Sequence, residues 1–198
     1  MSAQRMSAKE ALAAVHGARA AGDVVVTTMT PARDWMTMPQ HPLDLVLVPS
    51  AMGHATSIGL GLALAQPERR VIVCNGDGSM LMNLGSLVSI TAARATNLVV
   101  LVFDNGVYEV TGAQPIPSPG VIDFVSIARG SGFASVFEHS NLDAWRAEVE
   151  QILNAPGPTL ALLHVDAVVG IPGPRSPGPA AERARRFSEA LDRNRVEG

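Results

Sequence analysis

Residues 71–105 read VIVCNGDGSMLMNLGSLVSITAARATNLVVLVFDN, and the succession of patterns in this stretch decides the fold. Val71-Ile72-Val73-Cys74 is an apolar run that stops at Asn75-Gly76-Asp77-Gly78-Ser79, a cluster of turn-forming residues. From there Met80, Leu81, Leu84, Leu87, Val88, Thr91 and Ala95 recur at three and four residues, the spacing of a helix with one apolar face. Leu98 to Phe103 is continuously apolar, which suits a strand buried on both faces of a parallel sheet, and it ends at Asp104-Asn105-Gly106.

The same alternation extends in both directions. Ser7-Ala8-Lys9-Glu10 has the form of a capping box, and Leu12, Val15, His16 and Arg19 follow at helical spacing, so residues 7–21 read as an amphipathic helix. Val24 to Thr28 is a β-branched strand, Pro31 and the polar stretch after it mark a loop, and Leu45 to Val48 is a second strand closed by Pro49. Gly53 to Ala65 reads as a buried helix whose Gly59 and Gly61 permit tight packing. Beyond Asn105 a Pro-rich loop (Pro115, Pro117, Pro119) precedes helices over Val121 to Arg129 and Leu142 to Leu153, then a fifth strand over Leu160 to Val165. Alternating strands and helices predict an α/β fold, a doubly wound three-layer sandwich with a mainly parallel sheet.

Residues 1–169 are expected to form this domain and residues 170–198 a Pro/Gly linker and charged helical tail. The tail's apolar positions, Ala184, Phe187 and Leu191, leave two alternatives: a frayed end or a face packed on a partner subunit.

Composition narrows the function. The 198 residues are 47% hydrophobic and 17% charged, enough for one core without disulfides, and the single cysteine, Cys74, fits a reducing, cytoplasmic compartment. Fifteen Lys and Arg against eighteen Asp and Glu, with 4% aromatics, provide no basic stripe with stacking rings, which argues against nucleic acid. The N-terminus is too charged for a signal peptide, and no stretch reaches the ~20 apolar residues of a spanning helix, which argues against a membrane.

Ligands of open parallel sheets bind outside the carboxyl ends of the strands. Three segments fall there: Ser50-Ala51-Met52-Gly53, Gly76-Asp77-Gly78-Ser79, and Asp104-Asn105-Gly106-Val107-Tyr108. Gly76 and Gly78 let backbone amides approach an anion and Ser79 adds a hydroxyl, although the same residues also suit a plain turn with Ser as helix cap. Asp77 would repel a phosphate unless a cation lay between them, and Mg²⁺ with oxygen ligands satisfies both. Asn105, one helix and one strand later, brings a second oxygen to the adjacent strand end, so the two could share one ion. A dinucleotide site is not indicated, because no G-x-G-x-x-G turn opens a helix. A non-catalytic nucleotide-binding module remains the alternative from outside the enzymes.

Gly76-Asp77-Gly78 followed by Asn105 resembles the fingerprint of thiamine-diphosphate enzymes. The strings PSAMGHATSIGLGLALA and GDGSMLMNLGSLVSITAARATNLVVLVFDNGVYEVTGAQP look like the diphosphate-binding domain of the sulfopyruvate and phosphonopyruvate decarboxylase group. The resemblance implies a thiamine diphosphate and Mg²⁺ site in which Asp77 and Asn105 bind the metal by their side chains and Val107 by its main-chain carbonyl. Gly76, Gly78 and Ser79 would meet the diphosphate, Thr30 in the loop after the first strand would add a contact, and Ser50, Met52 and Gly53 would face the aminopyrimidine. Ser50 replaces the family's usual glycine. His54 is a candidate for contact with substrate; Tyr108 and Glu109 flank the metal loop without an assigned role.

The resemblance also implies a missing half. In this family a glutamate on a pyrimidine-binding domain activates the cofactor, and no such domain is found ahead of Val24. The expectation is a β-type subunit that acts with a pyrimidine-domain α subunit, as α2β2 or larger, to decarboxylate a small 2-oxo acid. A carboligase of the acetolactate synthase kind is the alternative among enzymes.

Overall fold

The computed structural model describes residues 5–193. The chain runs α1 (Ala8–Ala18), β1 (Val24–Thr28), α2 (Met29–Trp35), β2 (Asp44–Leu47), α3 (Ala55–Ala65), β3 (Val71–Gly76), α4 (Asp77–Leu81), α5 (Gly85–Ala92) and β4 (Leu98–Asp104). It continues through β5 (Val107–Tyr108), a 3-10 turn (Glu109–Thr111), β6 (Gln114–Pro115), α6 (Phe124–Ser131), β7 (Ser135–His139), α7 (Leu142–Leu153), β8 (Thr159–His164) and α8 (Ala180–Arg193).

Six strands form one sheet in the order β2-β1-β3-β4-β8-β7, every pairing parallel, as the α/β reading anticipated. Two apolar cores flank it. Leu12, Val15, Trp35, Trp145 and Leu153 from α1, α2 and α7 cover one face, and Ala55, Leu87, Ile90 and Ala128 from α3, α5 and α6 cover the other. The chain moves from β1 outward to β2 and then returns to the far side of β1 with β3. That reversal opens a crevice at the carboxyl ends of β1 and β3.

Local chemistry accounts for the details. Ser7 caps α1 by accepting from the Glu10 N–H, but the Glu10 carboxylate accepts from Arg146 of α7 instead of closing a capping box, and the helix stops at Ala18. Gly59 lets α3 lie against β3, since a Cβ there would sit 2.3 Å from Val73 Cγ2; Gly61 meets nothing and has no such role.

Three expectations are corrected. The segment after β1 is helical, because Pro31 falls in the first turn of α2, where a missing N–H costs nothing. The helix expected from Met80 to Ala95 is broken at Met82–Leu84, where Asn83 turns its side-chain amide to Gly53 O at 3.0 Å. A sixth strand, β7, goes unmarked in the sequence because it is a half-exposed edge strand containing Glu138 and His139.

The tail packs on its own chain. Phe187 and Ala190 of α8 join the core on the sheet face that α3, α5 and α6 cover, and the Arg183 guanidinium donates to Val46 O and Val48 O at 2.7 Å each, capping the β2 edge. Position 194, read as the end of this helix, lies outside the described residues.

Candidate functional site

The crevice at the ends of β1, β3 and β4 is a cavity lined by Met29, Thr30, Met52, Gly76, Asp77, Gly78, Ser79, Asn105, Val107, Tyr108 and Glu109, among others. Three loops distant in sequence converge there because β1, β3 and β4 are consecutive neighbours in the sheet.

Asp77 is 2% exposed. Its Oδ1 accepts from the Gly78 N–H and its Oδ2 from the Gly106 N–H, both at 2.7 Å. Among the described residues no Arg or Lys pairs with it, and burial, with Asp104 adding to it, pushes its carboxyl up to about 7. The Asp104 carboxylate, which neighbours that of Asp77, also meets His164 Nδ1 at 2.8 Å, and His164 Nε2 meets Glu138 at 2.8 Å. Strand register brings these together, with Asp104 opposite His164, so sequence spacing could not reveal the pairing.

The loop carrying Asn105 is a hairpin. Ile116 N–H donates to Gly106 O at 3.1 Å, and Val107 faces Pro115, the next pair along. In an antiparallel ladder the pair adjacent to a hydrogen-bonded one turns its backbone groups outward, and Pro115 has no N–H to offer. The Val107 N–H turns out to Asn105 Oδ1 at 3.1 Å, so its carbonyl lies on the same side as that oxygen. Asp77, Asn105 and Val107 all line the cavity, and their carboxylate, amide and main-chain oxygens are hard donors. No group of three or more His, Cys, Asp or Glu that could hold a metal occurs among the described residues.

The remaining candidates divide. Gly53, at φ +75°, is buried; its N–H donates to Ser79 Oγ at 3.1 Å and its carbonyl accepts from Asn83, so the Ser50–Gly53 loop is stapled to α4 and the turn after it. Gly78 lies under the Tyr108 ring, where a Cβ would come within 2.5 Å of Cε1, and its N–H is taken by Asp77. Thr30 lines the cavity and donates to Glu109 at 3.4 Å. Met52 lines it also, whereas Ser50 is exposed and points its hydroxyl to Met29 Sδ at 3.4 Å. His54 is exposed, outside the cavity lining, with Nδ1 2.8 Å from Met52 O. Tyr108, Asn83 and the buried Glu109 are participants that motif reading left without a role; the signal for Glu109 was its place four residues after Asn105.

Residues 21–163 match the family described as thiamine pyrophosphate enzyme, C-terminal TPP binding domain. The chain belongs to this family. This TPP-binding domain is 38% identical over 167 residues to a phosphonopyruvate decarboxylase from Streptomyces viridochromogenes, covering 83% of this chain and 41% of that protein. It is 41% identical over 135 residues to sulfopyruvate decarboxylase subunit beta from Methanothermobacter thermautotrophicus, covering 68% of this chain and 69% of that subunit. It superposes with a TM-score of 0.68 and 25% identity on the solved structure of a candidate thiamin diphosphate-dependent enzyme from Mycobacterium smegmatis, over 81% of this chain and 32% of that one. The chain spans about two-fifths of the phosphonopyruvate decarboxylases it matches.

The residues present fit the cofactor of this family. A buried carboxylate without a cationic side chain, beside an amide oxygen and an outward-turned carbonyl, matches the oxygen preference of Mg²⁺, which commonly shares its shell with phosphate. The Ser79 hydroxyl, which accepts from Gly53, keeps its own proton for donation to an anion.

Proposed function

We propose that this chain is the diphosphate- and Mg²⁺-binding subunit of a thiamine-diphosphate-dependent 2-oxo acid decarboxylase. The observation that carries the proposal is the placement of buried Asp77 beside Asn105 and the Val107 carbonyl at the reversal point of the sheet. Asp77 and Asn105 would hold Mg²⁺ by their side chains and Val107 by its carbonyl. Gly76, Ser79 and Thr30 would receive the diphosphate, with Gly78, whose N–H is given to Asp77, keeping the turn tight beneath Tyr108, and Ser50, Met52 and Gly53 would receive the aminopyrimidine. Bound thiamine diphosphate supplies a thiazolium ring that acts as an electron sink when a 2-oxo acid loses CO₂.

The work of this chain in that reaction is binding and orientation. Asp77 fixes the spacing between the β3 end and the β4 loop through its bonds to Gly78 and Gly106, so the two loops are held together before any ligand arrives. The staple from Ser79 and Asn83 to Gly53 keeps Met52 at the cavity wall. His54 bonds to the Met52 carbonyl and has no proton-transfer role in this reading.

The glutamate that activates the cofactor would come from a pyrimidine-domain α subunit in an α2β2 or larger assembly. Two features support a partner. The relative from Methanothermobacter thermautotrophicus is named as a subunit beta, and the uncharged helix α3 carries exposed Leu64, while Met82 and Val88 follow on the turn after α4 and on α5, each more than half exposed. No described helix is long and apolar enough to cross a membrane, and we place the assembly in the cytoplasm, where Cys74 stays a buried free thiol.

The test is co-purification of the chain with a pyrimidine-domain subunit, then a CO₂-release assay with sulfopyruvate, phosphonopyruvate and pyruvate. Release that needs both subunits, Mg²⁺ and thiamine diphosphate is the expected result. Full activity of this chain alone would overturn the subunit assignment, and carbon–carbon bond formation without net release of a decarboxylated product would point to a carboligase.

A further inference from the structure

We propose that Glu109 is a positioning residue that locks the Asn105 side-chain amide with its oxygen toward the metal side, and that Arg33 secures Glu109 for this task. The inference rests on the reading of Asn105 as a metal ligand given above and goes beyond it by assigning what sets that ligand's orientation.

The Glu109 side chain is 1% exposed and accepts four hydrogen bonds. Oε1 takes Arg33 Nη1 at 2.7 Å and Thr30 Oγ1 at 3.4 Å; Oε2 takes Asn105 Nδ2 at 2.9 Å and the Val168 N–H at 3.1 Å. An ionised carboxylate only accepts, whereas an amide has one donating and one accepting end. A flipped Asn105 amide would set its oxygen against Oε2, acceptor to acceptor, and would set its NH₂ against the Val107 N–H, donor to donor. Both edges of the amide therefore select one orientation, and the selection at the Nδ2 edge comes from Glu109. Arg33 supplies the charge that a buried carboxylate needs, and it belongs to α2, the helix that also brings Thr30 to the cavity. A carboxylate buried only as filler would have no need of this division of its oxygens between a cation on one side and a ligand-bearing amide on the other.

The experiment is Mn²⁺ binding to the full chain with saturating thiamine diphosphate, followed by the electron paramagnetic resonance signal of free Mn²⁺, with metal-free melting as a measure of folding. Glu109→Gln, whose side chain can present an amide of either sense to Asn105, is expected to weaken Mn²⁺ binding about 10-fold or more. In the Asn105→Asp background there is no amide to orient and Glu109 becomes a like charge, so Glu109→Gln is expected to leave Mn²⁺ affinity unchanged or raise it. Equal losses in both backgrounds, or no loss in either, would overturn the proposal. Should Glu109→Gln fail to fold because Arg33 keeps only Asp34 as a partner, the same comparison is made with Arg33→Gln/Glu109→Gln, which removes both charges. Asp77→Ala serves as the reference: Mn²⁺ lost there but retained in Glu109→Gln refutes the positioning role alone, whereas Mn²⁺ retained in Asp77→Ala refutes the metal reading beneath it.

Discussion

Asp77 Oδ2 accepts a hydrogen bond from the Gly106 N–H at 2.7 Å, joining the residue that follows β3 to the loop that follows β4. These residues are 29 positions apart, and the parallel register of β3 with β4, which sets Gly76 opposite Phe103, makes them neighbours. The carboxylate that ties the two loops together is also the proposed metal ligand, so the site's geometry and its charge depend on one side chain.

That charge predicts a pH dependence. An aspartate's ordinary value of 3.8 applies to the unfolded chain, while burial, aided by Asp104, pushes folded Asp77 up to about 7. Between about pH 4 and 7 the folded state therefore holds a proton that the unfolded state has released, and stability falls as pH rises through that window. Above it the deficit persists, and Mg²⁺, which binds the ionised form, offsets it. Melting of the metal-free chain at pH 5 and pH 8, compared with Asp77→Ala, is expected to show a downward slope in wild type that the variant lacks. The Mg²⁺-induced rise in Tm should be larger at pH 8 than at pH 5.

Packing predicts a cost at Gly59. An alanine there gains about 1 kcal/mol of helix propensity, but its methyl would overlap Val73 Cγ2, and overpacking a core strand costs about 1–3 kcal/mol. Gly59→Ala should lower the urea midpoint, and adding Val73→Ala should recover more stability than the sum of the two single changes allows. Simple additivity would remove the close-approach explanation for this glycine.

The tail yields a third prediction. Arg183→Ala removes the donors to Val46 O and Val48 O, bonds from a charged group that are typically worth about 1.5–3 kcal/mol in total effect when lost. Because Val48 leads into Ser50–Gly53, faster amide exchange should spread from β2 into that loop, measurable by hydrogen exchange mass spectrometry. Exchange confined to α8 would show that the tail does not support the loop.

Fold and site could be read from the sequence to different depths. The β3–β4 unit was readable because its strands are buried on both faces, although the apolar periodicity between them hid the break at Met82–Leu84; β7 was not, since its half-exposed pattern leaves no continuous apolar run. Pro31 was misread as a loop because the same residue that breaks a helix interior is harmless in a first turn. At the site, the convergence of Asp77 and Asn105 on one cavity was readable, because one strand–helix–strand unit fixes how far apart two strand ends lie. The His164 bridge between Asp104 and Glu138, and the Glu109 bonds to Arg33 and Val168, depend on strand order and on the path of the chain after β8, neither of which is a local pattern.

His54 makes a useful negative prediction. It is exposed, and among the described residues its ring bonds only to the Met52 carbonyl. His54→Ala should change stability by less than about 0.5 kcal/mol and leave Mg²⁺ binding intact. A loss of metal binding in this variant would mean that the Met52 loop is coupled to the metal loop far more tightly than these contacts convey.

The most direct test of the site is calorimetric titration of the full chain with thiamine diphosphate in the presence of Mg²⁺, in wild type and Asp77→Ala. Binding that requires Mg²⁺ in wild type, disappears with EDTA and is absent from Asp77→Ala is the expected result. Undiminished binding of thiamine diphosphate to Asp77→Ala, or binding indifferent to EDTA, would contradict the assignment of Asp77, Asn105 and Val107 as the metal-holding set.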